Sequence, residues 1–153
     1  MTTGSGIDVL TGGCQCGHVR YEARGAPVGL YVCHCRECQK QSTSAFGISV
    51  RVRAADLALL AGAPSVWVRP TTIGGSLACA FCPRCGSRVW HGDPARDAIV
   101  SIKGGSLDTP PDLSHAVHIW VSRKLPGVVI PDHAETYPEE PPPERAASAG
   151  EPP

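Results

Sequence analysis

Apolar side chains recur along this chain in short alternating runs, the period of a strand with one buried face. His18-Val19-Arg20-Tyr21-Glu22 alternates before a Gly25-Ala26-Pro27 break. Phe46 to Val52 alternates with β-branched Ile and Val, the strongest half-buried strand signal in the chain. Ser65 to Val68, Ala98 to Ile102 and Ala116 to Val121 read as further strands. Only Ala54 to Leu60 carries a helical pattern, at most two turns before Gly62. Turn residues separate the runs and no internal repeat is visible. The expected architecture is an all-β single domain of mainly antiparallel strands.

Composition supports this. A chain of 153 residues with 42% hydrophobic content is long enough to bury one core. With 17 Gly and 15 Pro it suits strands and turns rather than a helical bundle. The pattern predicts a loose leader over 1–9, a folded domain over 10–137 and a tail over 138–153. The tail is rich in Pro, Glu, Ala and Ser and has no large apolar residue, so disorder is expected there. Zero formal net charge provides no basic field to hold nucleic acid or an anionic membrane. No run approaches the ~20 apolar residues of a membrane span. The opening MTTGSGIDVL lacks the basic and apolar regions of a signal peptide. Reduced cysteines without such a signal point to the cytoplasm. No feature assigns an oligomeric state.

The cysteines change the picture most. All 8 lie in three groups: Cys14 and Cys16; Cys33, Cys35 and Cys38; and Cys79, Cys82 and Cys85. Such tight spacings suit thiolates converging on a tetrahedral metal, and neighbours two apart on a strand cannot form a disulfide without strain. Zinc is the expected ion, with two per chain. If Cys14 and Cys16 sit on a strand, their sulfurs share a face. Their expected partners are Cys82 and Cys85, because Cys82-Pro83-Arg84-Cys85-Gly86 reads as a metal knuckle. Pro83 fixes a turn, and Gly86 is free to take positive φ. Those four would close a structural zinc site.

Cys33 and Cys35 likewise share a face, and Cys38 turns a third sulfur toward them. Three protein ligands with an open position is how catalytic zinc is usually held. Cys79 would face away from Cys82 on a strand through Phe81. It is therefore a candidate fourth ligand of the second site, the alternatives being an inert buried thiol or a redox role. His34 should point away from its flanking sulfurs, as a packing residue or a support behind the ligands. His91, His115, His118 and His133 show no metal spacing. Arg36, Glu37 and Lys40 read as exposed charge beside a turn. There is no P-loop, no Ser-His-Asp order and no G-x-G-x-x-G.

Taken together, these motifs resemble the glutathione-dependent formaldehyde-activating enzyme family, which includes the centromere protein V domain. The resemblance rests on Gly12-Gly13-Cys14-Gln15-Cys16-Gly17, Val19-Arg20-Tyr21, Cys33-His34-Cys35-Arg36-Glu37-Cys38-Gln39-Lys40 and Ala45-Phe46. It continues through Phe81-Cys82-Pro83-Arg84-Cys85-Gly86-Ser87, Gly105-Ser106-Leu107-Asp108 and His118-Ile119-Trp120. It implies small coiled antiparallel sheets around zinc, a β-tent-like fold. It also implies a structural zinc on Cys14, Cys16, Cys82 and Cys85, and a second, catalytic zinc on Cys33, Cys35 and Cys38 where glutathione or another low-molecular-weight thiol binds. Departures from the family pattern are Ser42-Thr43-Ser44, Cys79 and Arg88. The implied activity is a carbon–sulfur lyase on a thiol–aldehyde adduct of the S-hydroxymethylglutathione type, with a small thiol and an aldehyde as partners. The rival is a non-catalytic, zinc-stabilised thiol-carrier or protein-binding module, since the sequence marks no general acid or base.

Overall fold

The computed structural model describes residues 8–71 and 74–143. Ten strands follow one another: β1 Val9–Gly13, β2 Arg20–Arg24, β3 Gly29–Cys33, β4 Gly47–Arg53, β5 Leu57–Ala61, β6 Ser65–Pro70, β7 Ser76–Phe81, β8 Arg88–His91, β9 Ile99–Lys103 and β10 Val117–Ile119. One α-helix, α1, spans Arg36–Ser42 between β3 and β4. The strands form a three-stranded sheet in the order β1-β2-β5 and a seven-stranded sheet in the order β10-β3-β4-β9-β8-β7-β6. All pairings are antiparallel except β10 with β3, which run parallel. The fold is thus all-β with one short helix, as the alternating runs predict.

Alternation places the core. Val50, Val52, Val100, Ile102, Ala80 and Trp90 are the inward positions of β4, β9, β7 and β8 and meet Val19, Tyr21 and Ala23 from the smaller sheet. Each fully buried Val, Ile or Tyr removes enough apolar surface from water to contribute ~1.5–3 kcal/mol. Tyr21 meets Trp90 edge to face at 5.8 Å, and its hydroxyl lies 2.6 Å from the Ser106 hydroxyl. That contact ties β2 to the loop after β9 and brings Asp108 beside Arg20 and Thr11.

Three local expectations need correction. The helical pattern over Ala54–Leu60 resolves into a 3₁₀ turn at Ala54–Asp56 followed by β5. Pairing with β2 supplies hydrogen bonds that so short a helix lacks. The helix instead occupies Arg36–Ser42, with the Cys35 side chain as N-cap and Thr43 in the left-handed region as C-cap. Cys14 and Cys16 follow β1 in a turn rather than lying on a strand.

At the C-terminal side, Pro138 and Glu139 carbonyls accept from the Ser122 and Trp120 amides, and the Trp120 indole donates to Glu140 at 2.8 Å. The chain therefore stays anchored past the expected break at Pro138. The rest of the expected tail, from 144, and the leader up to 7 lie outside the described residues. Among the described residues no helix is long and apolar enough to cross a membrane.

Candidate metal centres and the cavity beside them

The turn after β1 and the knuckle after β7 meet at one end of the molecule. There the sulfurs of Cys14, Cys16, Cys82 and Cys85 lie within 4.8 Å of one another. Cys14 and Cys16 sulfurs are 3.6 Å apart and Cys16 and Cys82 sulfurs 3.8 Å apart. A disulfide requires about 2.05 Å. A zinc–sulfur bond of about 2.3 Å puts tetrahedral sulfurs about 3.8 Å apart, so the spacing fits that metal. Backbone amides are aimed at the sulfurs, Val19 at Cys14 (3.2 Å) and Arg84 at Cys82 (3.4 Å), as thiolates require. Gly86 follows the knuckle at φ +78°, the left-handed position its sequence anticipated.

The second cluster is built by the end of β3 and the start of α1. The Cys33, Cys35 and Cys38 sulfurs lie within 4.8 Å of one another, and among the described residues no further Cys, His, Asp or Glu completes the group. The Cys38 amide donates to the Cys35 sulfur at 3.3 Å. Hydrogen bonds from Cys33 and Cys35, with Lys103 and Arg69 nearby, pull the Cys38 thiol down to about 3, while Cys35, Cys38 and burial push Cys33 up. Three thiols crowded this way cannot all ionise without a cation among them. The donor set fits zinc, with three sulfurs from one short segment.

Cys79 belongs to neither cluster. It is fully buried on β7, its thiol directed at the Leu77 carbonyl at 3.6 Å, and burial raises its pKa. His34 is buried behind the second cluster, as its alternation predicts. Its Nε2 meets His118 Nδ1 at 2.9 Å, its ring packs against Phe46, and burial lowers its pKa to about 4. The Gln39 amide donates to the His34 and Arg123 carbonyls and so locks α1 against this support. His91 is also buried, and burial holds its pKa near about 3. Arg36 folds back onto Gln39 at 2.6 Å.

A cavity of about 890 Å³ opens beside both clusters. Its lining includes Cys38, Phe46, Gly47, Arg88 and Lys103 together with Cys14, Gln15 and Ser87. Gly47 is there for space: a Cβ at that position would lie 3.2 Å from the Cys38 Cβ and 3.7 Å from the Lys103 Nζ. A smaller cavity of about 240 Å³ touches Cys33, Tyr31 and Glu140. Lys103 and Arg69 escaped the sequence reading, and Arg88 entered it only as a departure from the family pattern. Each stands alone in its strand, and only sheet order brings them together.

The model of the glutathione-dependent formaldehyde-activating enzyme family matches residues 9–123. The chain belongs to that family. Its fold is also similar to a crystal structure of a Rhodobacter sphaeroides protein, at 21% identity and a TM-score of 0.53, covering 71% of this chain and 98% of that one. The match to the family model takes in both cysteine clusters and the strands that line the cavity.

Proposed function

We propose that this family member makes and breaks the carbon–sulfur bond of a thiol–aldehyde adduct of the S-hydroxymethylglutathione type, as a zinc-dependent carbon–sulfur lyase. The observation that carries the reading is the three-sulfur cluster with its Cys38 edge on a cavity large enough for a tripeptide thiol. Cys33, Cys35 and Cys38 would hold the catalytic zinc, and Cys14, Cys16, Cys82 and Cys85 the structural one. Bound there, zinc would favour the thiolate form of an incoming thiol. The chain does the rest by position. Lys103 adds positive charge where that thiolate forms, Phe46 walls the site, and the cavity holds thiol and aldehyde together so that one bond exchange becomes intramolecular. The adduct gives up its hydroxyl proton as the carbon–sulfur bond breaks, releasing aldehyde and thiol. Reduced cysteines suit a cytoplasmic setting.

One observation favours the rival, a non-catalytic thiol carrier or protein-binding module. The single carboxylate on the cavity wall, Asp108, is held by Arg20 at 2.8 Å and by Thr11, which leaves no free carboxylate to act as a base. Exchange NMR on a glutathione and formaldehyde mixture decides between them. Catalytic amounts of the zinc-loaded protein should broaden or exchange the adduct resonances faster than buffer alone. Thiol binding without faster exchange would leave only the carrier.

A further inference from the structure

The face of the large sheet turned away from the core has a one-sided charge. Register puts Tyr31, Ser49 and Lys103 side by side, and Trp67, Cys79 and His91 side by side, on the positions that alternate with the apolar core. None of the seven strands of this sheet contains an Asp or a Glu. Arg69, Arg88 and Lys103 nevertheless converge around Cys79 and His91, and Lys103 and Arg69 also act on Cys38 of the second cluster. Arg69 Nε, Arg88 Nη1 and His91 Nε2 are buried without a hydrogen-bond partner. Arg88 also rests on the Phe81 ring at 5.6 Å and, like Lys103, lines the large cavity. Lys103 Nζ donates to Ser49 at 3.2 Å, which leaves it further donors.

Arg69 has the Cys79 thiol beside it and Lys103 has Ser49, but no carboxylate on these strands meets Arg88 or Lys103, and buried cationic N–H groups short of an acceptor are costly, so an anion belongs here. The sulfurs supply part of it: zinc on three thiolates carries about one net negative charge, and an added thiolate brings a second. Three cations then leave one positive charge unmatched, the charge of a single carboxylate. Its place is restricted, because Lys103 Nζ and the Cys38 sulfur both flank Gly47, at 3.7 and 3.5 Å from where a Cβ would stand. Glutathione's carboxylates lie many bonds from its sulfur, so placing one on this floor would mean ordering a long flexible chain folded back on itself. A carboxylate bonded directly to the reacting carbonyl carbon needs no such ordering.

We propose that Lys103 and Arg88 hold the carboxylate of an α-oxo acid, so that the aldehyde partner at this site is an anionic aldehyde acid of the glyoxylate type. The inference rests on the carbon–sulfur reading above. In the step, the thiol sulfur's lone pair forms the carbon–sulfur bond and the carbonyl π bond breaks. The oxygen takes the proton that the thiol gave up. The product is a carboxylate-bearing thiohemiacetal, with no change in oxidation state, and the reverse step releases both partners.

The test compares formaldehyde with glyoxylate, each with glutathione and the zinc-loaded full chain, by exchange NMR. A second readout is the binding of oxamate, an unreactive isostere of glyoxylate, followed by chemical-shift perturbation with acetate as control. Glyoxylate adduct exchange should be accelerated. Lys103→Met and Arg88→Leu should each lower the glyoxylate-to-formaldehyde rate ratio about tenfold, the worth of one charge-assisted hydrogen bond, and weaken oxamate binding to match. Lys103→Arg should retain the preference. Acceleration with formaldehyde alone, or a ratio unmoved in both neutral variants, overturns this inference and leaves the lyase reading standing. No acceleration with either aldehyde overturns both.

Discussion

The two cysteine clusters use one residue type for different ends, and the difference lies in count and surroundings. Cys14, Cys16, Cys82 and Cys85 join segments far apart in sequence, bring four sulfurs together and sit partly at the surface. Cys33, Cys35 and Cys38 come from one short segment, bring three sulfurs together and sit beside a cavity with cations on its floor. The first arrangement restrains the chain and leaves no position for chemistry. The second restrains little beyond α1 and leaves its fourth position to the cavity. On the function proposed above, ligand number alone would not make the second site reactive, and the Lys103 charge and the space at Gly47 would complete it.

The largest expected effect breaks the first cluster. Metal binding at such a site is largely folding free energy, on the order of 10 kcal/mol. Cys82→Ser should therefore abolish soluble, zinc-bearing protein. A folded Cys82→Ser chain with two zincs would show that the four sulfurs do not share a metal.

Breaking the second cluster should spare the fold. Cys38→Ala is expected to keep the far-ultraviolet dichroism of the wild type, to lose one of two zincs, and to lose adduct exchange. Contacts behind a metal ligand are themselves worth about 10–100-fold, so the loss should exceed that range. A mild chelator should give the same split in the wild type, removing one zinc while the fold survives, with added glutathione slowing that loss. If both metals left together, the contrast between closed and open sites would fail.

Cys79→Ala sharpens the comparison. The geometry places Cys79 outside both clusters, so zinc per chain should remain at the wild-type value. Stability should fall by only about 1–2 kcal/mol, for a small buried cavity. A drop in metal content would restore Cys79 as a ligand.

These expectations also show where the sequence was legible. Strands β4, β6, β9 and β10 of the large sheet came through, β4 and β9 because they alternate cleanly between core and polar face, whereas β3, β7 and β8 did not. The cysteine groups came through because metal geometry requires tight spacing whatever the fold. Helix α1 did not, since seven residues are too few to show a helical period and its N-cap is a cysteine rather than Ser, Thr, Asp or Asn. Ala54 to Leu60 misled for the complementary reason: its apolar run belongs to edge strand β5, whose Leu59 and Leu60 stay exposed. The placing of Lys103 and Arg88 on the cavity wall was illegible because charge on a strand ordinarily marks the solvent face, and only the folded sheet shows them on that wall.

An effect of similar size to that of Cys79→Ala is a pH dependence. Burial holds His91 at about 3, below the ordinary value of 6.5, so between those values the unfolded chain binds more protons than the folded one. Stability contributed by this neutral imidazole is thus present above the ordinary value and is lost as pH falls. From pH 7 to 5 the loss should be about 2 kcal/mol. His91→Gln should flatten the denaturation midpoint against pH by that share. An unchanged slope would mean that His91 becomes protonated in the native state near its ordinary value.

The spacing of the clusters along the chain also sets an order in time. The Cys33 to Cys38 segment is complete once the first forty or so residues have left the ribosome, whereas Cys14 and Cys16 wait for Cys82 and Cys85 to arrive. Loop closure over that span is slow compared with a local turn. If both clusters take zinc as proposed, a nascent chain would meet the metal first at the local three-sulfur cluster and only later at the four-sulfur one, so that the long-range cluster would register the completion of the fold.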